Sequence, residues 1–301
     1  MKKEERSNFV NIPKFKTKEV SGITFGGFGL DRFMASNKKL TLWGRTLPQA
    51  MIVAADKGKG WHLLTAFEWA AMAYLWKNAK SPDELEFDIH AETWQWVMGL
   101  FMDKEGHVNV LGSLDVSYNG SPYGRGTIKS LKGNPILIVD GTGLNWLKKW
   151  DEDAFSGMLV YVAEANGSRG EFYPIDGNSI NSLSFDISPI PDPKNGQATF
   201  CIVKHISKDI TSDMDSGNRI ISLRASDPDL KPFAIPGGSN STGDPKYGMD
   251  RYWFYKDKIA RAALRGGGFN TEARAGVFSL DLDSAPSYSC YAFGFRAAKA
   301  L

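Results

Sequence analysis

Apolar positions alternate with polar ones at the start of the chain, at Phe9, Val10, Ile12 and Phe15, and Pro13 interrupts them; this predicts an edge strand. Between Ile23 and Ala35 the glycines Gly26, Gly27 and Gly29 lie among Phe25, Phe28 and Leu30. No helical pattern follows them and their spacing fits neither common nucleotide-binding fingerprint, so they predict a strand against which a neighbour packs closely. The run TAFEWAAMAYLWK, Thr65 to Lys77, predicts the clearest helix. Thr65 and Glu68 form a capping box, and Phe67, Ala71, Tyr74 and Leu75 make one apolar stripe suited to lie on a sheet. A shorter helix is predicted from Pro48 through Ala55, stopped by Gly58.

From Thr93 onward the pattern turns to strands. Trp94, Trp96, Val97 and Phe101 lead into a buried-strand run at Ile136 to Val139. Leu159 to Ala163 and Gly170 to Tyr173 predict a hairpin around Asn166 and Gly167, and Phe200 to His205 another strand. Asp227 to Tyr247 carries four Pro and three Gly, which predicts a long loop or lid without regular structure. No internal repeat of fixed period is present. Residues 1–18 read as an N-terminal arm with the first strand, and 19–301 as a single domain, giving an α+β class with few helices and long loops.

Composition narrows the function classes. The 301 residues carry 36 Lys plus Arg against 34 Asp plus Glu, so no basic excess argues for nucleic acid. No apolar run is long enough to span a bilayer, so membrane insertion is not expected. Met1 to Asn8 is polar and lacks the apolar stretch of a secretory signal, which predicts folding in a cytoplasm. Cys201 and Cys290 have neither a CxxC nor a zinc-like spacing, so a disulfide is not expected. His62, His90, His107 and His205 stand singly, with no second His or Cys three to five positions away; no metal site and no cofactor are expected. GxSxG is absent, so no nucleophile elbow is supported, and the pair Asp281 and Asp283 alone assigns no acid–base chemistry.

Motifs at both ends carry a resemblance. They are Gly60, Leu63, Leu64, Thr65, Glu68 and Trp69; Trp94 and Trp96; Arg265, Gly266, Gly267 and Phe269; and Gly294, Phe295 and Arg296. In this order they resemble the formylglycine-generating-enzyme (sulfatase-modifying-factor) branch of the C-type lectin fold. Asn11 to Phe15 and Phe28 to Lys38 are similar to that family's first strands, whereas about 112–221 matches less well and reads as an insertion. Enzymes of that branch hold copper with two cysteines just after the R-G-G motif. Here that stretch, Phe269 to Gly276, contains none, which argues against a soft-ligand copper site.

The tail, about 252–298, more closely resembles the variable region of diversity-generating retroelement proteins. Their reverse transcriptase randomises adenines of a template, so AAC and AAT codons diversify while scaffold positions persist. The positions that interrupt the scaffold pattern here are Gly268, Thr271, Ala273, Arg274, Ser279, Asp281, Asp283, Ser284, Tyr288, Cys290, Tyr291, Ala292 and Phe293, all reachable from such codons. Tyr252, Phe254 and Tyr255 are additional candidates for the same face, whereas Trp253 and Glu272 are unreachable and read as fixed. In a strand, Leu280 and Leu282 would face the core and Ser279, Asp281 and Asp283 would face outward.

The resemblance implies a non-catalytic ligand- or receptor-binding protein without cofactor, its partner a protein or glycan on a target cell. It also implies placement on a virion tail tip or, by association, a cell surface, with homo-oligomerisation or a virion assembly partner compatible. The alternatives are a divergent oxidase of the sulfatase-modifying type and a calcium-dependent sugar binder. The sugar binder's E-P-N or Q-P-D triplet is missing.

Overall fold

Two threonines start the two helices among the described residues. The computed structural model describes residues 9–32, 36–37, 40–41, 44–58, 60–79, 94–111, 123–131, 134–139, 151–164, 170–179, 182–185, 197–212, 214–268, 271 and 276–301. At Leu47–Ala55 (α1) the Thr46 hydroxyl accepts the Gln49 amide and the Gln49 side chain accepts the Thr46 amide. At Ala66–Asn78 (α2) Thr65 and Glu68 make the same reciprocal pair. Each box satisfies amide donors that the first helical turn leaves open. The apolar stripe predicted for α2 needs correction, because every residue from Ala66 to Tyr74 is buried. The alanines allow close approach on every side, so the helix is enclosed rather than laid on one surface. It packs against strands Trp94–Met102 and Gly276–Ser284, where the Trp69 indole donates to the Val277 carbonyl at 2.7 Å.

The fold is α+β and mostly strand. One four-stranded antiparallel sheet has the order Phe9–Ile12, Phe28–Asp31, Ala297–Ala300, Trp61–Leu63, which joins the two ends of the chain. Phe9–Ile12 is an edge strand, as its alternation predicted. The glycines beside it act through space. A Cβ on Gly29 would lie 1.8 Å from the Phe9 ring, and one on Gly26, at φ +81, 1.8 Å from the Pro13 carbonyl oxygen.

The larger sheet is mixed. Its central order is Gln197–Asp209, His107–Leu111, Trp94–Met102, Arg261–Gly266, Gly276–Ser284, Arg251–Phe254, Asn218–Leu223 and Pro236–Asn240. Arg251–Phe254 runs parallel to Gly276–Ser284, and Phe293–Phe295 runs parallel to Trp94–Met102; the other pairings along this path are antiparallel. All nine residues of Trp94–Met102 are buried, so this strand has no solvent face. The segment Asp227 to Tyr247 departs from the predicted irregular loop: it contains strand Pro236–Asn240 and two short 3-10 turns, Lys231–Phe233 and Pro245–Tyr247.

Strands Leu159–Glu164 and Gly170–Pro174 pair as the predicted hairpin, while its turn at Asn166 and Gly167 lies outside the described residues. Leu159–Glu164 also pairs with Gln197–Asp209. Alternation divides these strands between two cores. Val160, Val162, Phe200 and Ile202 enter a small cluster formed within residues 155–202, while Tyr161, Ala163, Cys201 and Val203 face the main core.

Candidate functional site

The R-G-G run is built for backbone geometry and burial. Gly266 and Gly267 have φ of +89 and +117, which side-chain-bearing residues rarely adopt. Arg265 is fully buried and donates to the carbonyl oxygens of Phe233 at 2.6 Å, Ala234 at 3.3 Å and Phe278 at 3.4 Å. Burial pulls its pKa down to about 10, which leaves a cation inside the core at neutral pH. Asp250, also buried, accepts the Phe278 amide at 2.8 Å, and a Cβ on Gly276 would collide with its Oδ1. Burial lifts the Asp250 carboxyl to about 7. Arg296 is buried as well, and the Trp96 indole donates to the Arg45 carbonyl at 2.8 Å.

The interleaved positions fall into two groups. Tyr288 and Tyr291 are exposed at 53% and 69%. Their loop is held by two turns, Tyr288 N–H to Ala285 O and Phe293 N–H to Cys290 O. It is tied to the first residue of α1 by Leu47 N–H to Pro286 O and to the segment before it by Gly44 N–H to Phe293 O. Cys290 is half-buried, and its Sγ accepts the Ala292 amide at 3.5 Å. Thr271 is half-buried, with its hydroxyl donating to Gly268 O at 2.6 Å.

Asp281 and Asp283 are also half-buried, and Asp281 Oδ1 accepts the Asp283 amide at 2.7 Å. Burial and the neighbouring Asp283 charge push the Asp281 carboxyl up to about 7. The Asp283 carbonyl accepts from Arg261, which also pairs with Asp257. The Arg261 guanidinium lies 5.1 Å from the centre of the Tyr255 ring, and Tyr255 is 58% exposed.

The second group corrects the predicted outward display. Ser279, Ser284, Ala292, Phe293, Gly268 and Tyr252 are buried. Ser279 turns inward because its hydroxyl accepts the Arg251 amide, a donor just ahead of the parallel register that starts at Tyr252 and Leu280. Tyr252 packs in the core with its hydroxyl donating to the Ile210 carbonyl at 3.4 Å, and the ring of Phe254, half-buried, lies tilted against it with centres 5.1 Å apart. Phe293 stands edge-on to Trp96 at 5.2 Å. A strand with neighbours on both edges and covered faces does not follow the simple rule of one side in and one side out. Ala273 and Arg274 lie outside the described residues, as do Phe269 and Glu272.

The histidines are less isolated than their spacing suggests. His62 is buried with Nε2 3.0 Å from Glu68 Oε1. Strand pairing brings His205 beside His107, at the foot of the turn that begins at Asp103, with ring centres 5.8 Å apart. The ligand-capable atoms of Asp103, His107 and His205 lie within 4.8 Å of one another. Spacing could have suggested two of the three, since Asp103 and His107 are four positions apart; the partner strand supplies His205. Cys201 is buried within a strand, and neither it nor Cys290 forms a disulfide.

No protein-family model and no curated protein matches this sequence. Among the described residues no helix is long and apolar enough to cross a membrane.

Proposed function

We propose that this chain is a non-catalytic binding protein on a C-type-lectin-like scaffold of the formylglycine-enzyme type, with its C-terminal surface diversified by a retroelement. The observation that carries the reading is the loop Ala285–Ala292. It presents two exposed tyrosines while both of its ends are anchored by backbone hydrogen bonds to residues 44–47. Tyrosines on a pinned loop offer large amphipathic area at low entropic cost, the property that antibody loops exploit.

The binding face under this reading consists of Tyr288, Tyr291 and Cys290, with Thr271, Asp281, Asp283 and Tyr255 as flanking positions. Ala273 and Arg274 belong to it on sequence grounds. Ser279, Ser284, Ala292, Phe293, Gly268 and Tyr252 are assigned to the scaffold because they are buried. The partner is a protein or glycan on a target cell, met from a virion tail tip or an associated cell surface.

Sequencing the DNA beside the gene tests the origin of the variation. The expected result is a near-copy of the 3′ coding end that differs at adenines, next to a reverse transcriptase gene. Absence of that copy, together with copper-dependent oxidation of a cysteine peptide by the purified chain, overturns the reading.

A further inference from the structure

We infer that Asp103, His107 and His205 form a surface site for one divalent transition-metal ion of the zinc class. Two imidazoles and one carboxylate suit zinc, nickel or copper, whereas magnesium and calcium prefer all-oxygen sets. The donor atoms come from a tight turn and two paired strands. Asp103 opens the turn, His107 begins strand His107–Leu111, and His205 lies on the neighbouring strand Gln197–Asp209.

Two of the three ligands, Asp103 and His205, are already held by a second interaction. Asp103 Oδ1 accepts the amides of Glu105 at 3.0 Å and His107 at 2.8 Å, which leaves Oδ2 for another partner. That Oδ2 lies 3.7 Å from His107 Nδ1, too far for a good hydrogen bond. The gap is close to the ~3.4 Å between two ligands that share a tetrahedral ion at zinc bond lengths. His205 Nδ1 lies 2.9 Å from Oδ1 of the buried Asn109. An amide oxygen only accepts, so Nδ1 carries the proton and Nε2 presents its lone pair. This is the second-shell arrangement that orients metal-binding histidines.

Asp209, also close by, does not join the set. Its Oδ1 accepts from Thr211 and its Oδ2 pairs with Lys256 at 2.9 Å. Binding an ion requires the donor atoms, which lie within 4.8 Å of one another, to close to bonding range. The ion then ties the turn after Trp94–Met102 to strand Gln197–Asp209, whose two faces enter different cores. Water completes the coordination, since His205 is exposed.

The test uses the tag-free full chain, stripped with a chelator and dialysed. It is titrated with Zn²⁺ by calorimetry and with Co²⁺ by visible absorption. One Zn²⁺ per chain is expected, together with cobalt bands of a nitrogen–oxygen site and a rise in melting temperature through mass action. Asp103→Asn keeps an oxygen acceptor for both turn amides, and His205→Ala changes an exposed side chain, so both variants retain the fold. Each is expected to weaken Zn²⁺ by about 100-fold, and Asn109→Leu by about 10-fold. His90→Ala is expected to bind like the parent chain. Absence of saturable Zn²⁺ binding by the folded parent chain overturns the site, as does parental affinity in both Asp103→Asn and His205→Ala.

Discussion

The exposed ring of Tyr288 stands edge-on to the buried ring of Phe293, with centres 5.7 Å apart. Phe293 in turn meets Trp96, whose indole is fixed on the Arg45 carbonyl. A surface side chain is thereby connected to the core through two rings. Phe293→Ala is expected to cost about 3–5 kcal/mol, the usual range for deleting a buried aromatic. Tyr291→Ala, at the outer end of the same loop, is expected to change stability by no more than about 0.5 kcal/mol. Urea unfolding of both variants measures the contrast. Panels of glycans and cell-surface proteins then separate stability from recognition, because the proposed function requires Tyr291→Ala to lose ligand while it remains folded.

Glu68 has two duties at one helix end. Its Oε2 accepts both the amide and the hydroxyl of Thr65, and its Oε1 faces His62. Glu68→Ala removes the cap and leaves a buried imidazole nitrogen without this partner. A loss of about 2–4 kcal/mol is expected from the sum of a missing cap and an unsatisfied buried group. Glu68→Gln retains an oxygen acceptor for Thr65, so chemical denaturation is expected to show a smaller loss. Equal losses would contradict this account.

Gly29 and Phe9 occupy one volume. Gly29→Ala alone is expected to displace the Phe9 ring and destabilise the edge of the four-stranded sheet. In a Phe9→Ala background the same change is expected to be nearly neutral, since the obstructing atoms belong to that ring. Gly26→Ala has no such rescue, because its clash is with backbone at a positive φ. A double-mutant cycle on thermal unfolding distinguishes the two positions.

Asp250 and Asp281 have carboxyls raised from 3.8 to about 7 by burial, with Asp283 adding repulsion at Asp281. Between about pH 4 and 7 the folded chain therefore binds more protons at these groups than the unfolded chain does. Their contribution is fully present below about pH 4, falls as pH rises, and is gone above about 7. Asp209, lowered to about 2, acts oppositely and only under more acid conditions. Asp281→Asn keeps an acceptor for the Asp283 amide and removes the titration. Its melting temperature is expected to exceed that of the parent chain at pH 8, with the difference shrinking toward pH 5. A difference independent of pH would refute the assignment.

The legible parts of the fold were local. Both helices were readable from local signals, the Thr65–Glu68 box for the longer and Pro48 with Gly58 for the shorter, and the edge strand because Pro13 and alternation act over a few positions. The close approach at Gly29 was also readable, although the identity of the approaching ring was not. Strand Pro236–Asn240 escaped detection because prolines and glycines suppress any period there; pairing with Asn218–Leu223 makes it a strand. Among the site residues, alternation correctly buried Leu280 and Leu282 but misplaced Ser279. Its rule assumes one solvated face, and this strand is covered on both from Val277 to Leu280.

Capping boxes, turn glycines and apolar periods were written in the chain itself, since each acts between near neighbours. Which tyrosines reach solvent, which serine turns inward, and that His205 meets Asp103 and His107 were decided only by tertiary structure. Strand register sets those relations between residues far apart in sequence, and a shift of one position would exchange every face.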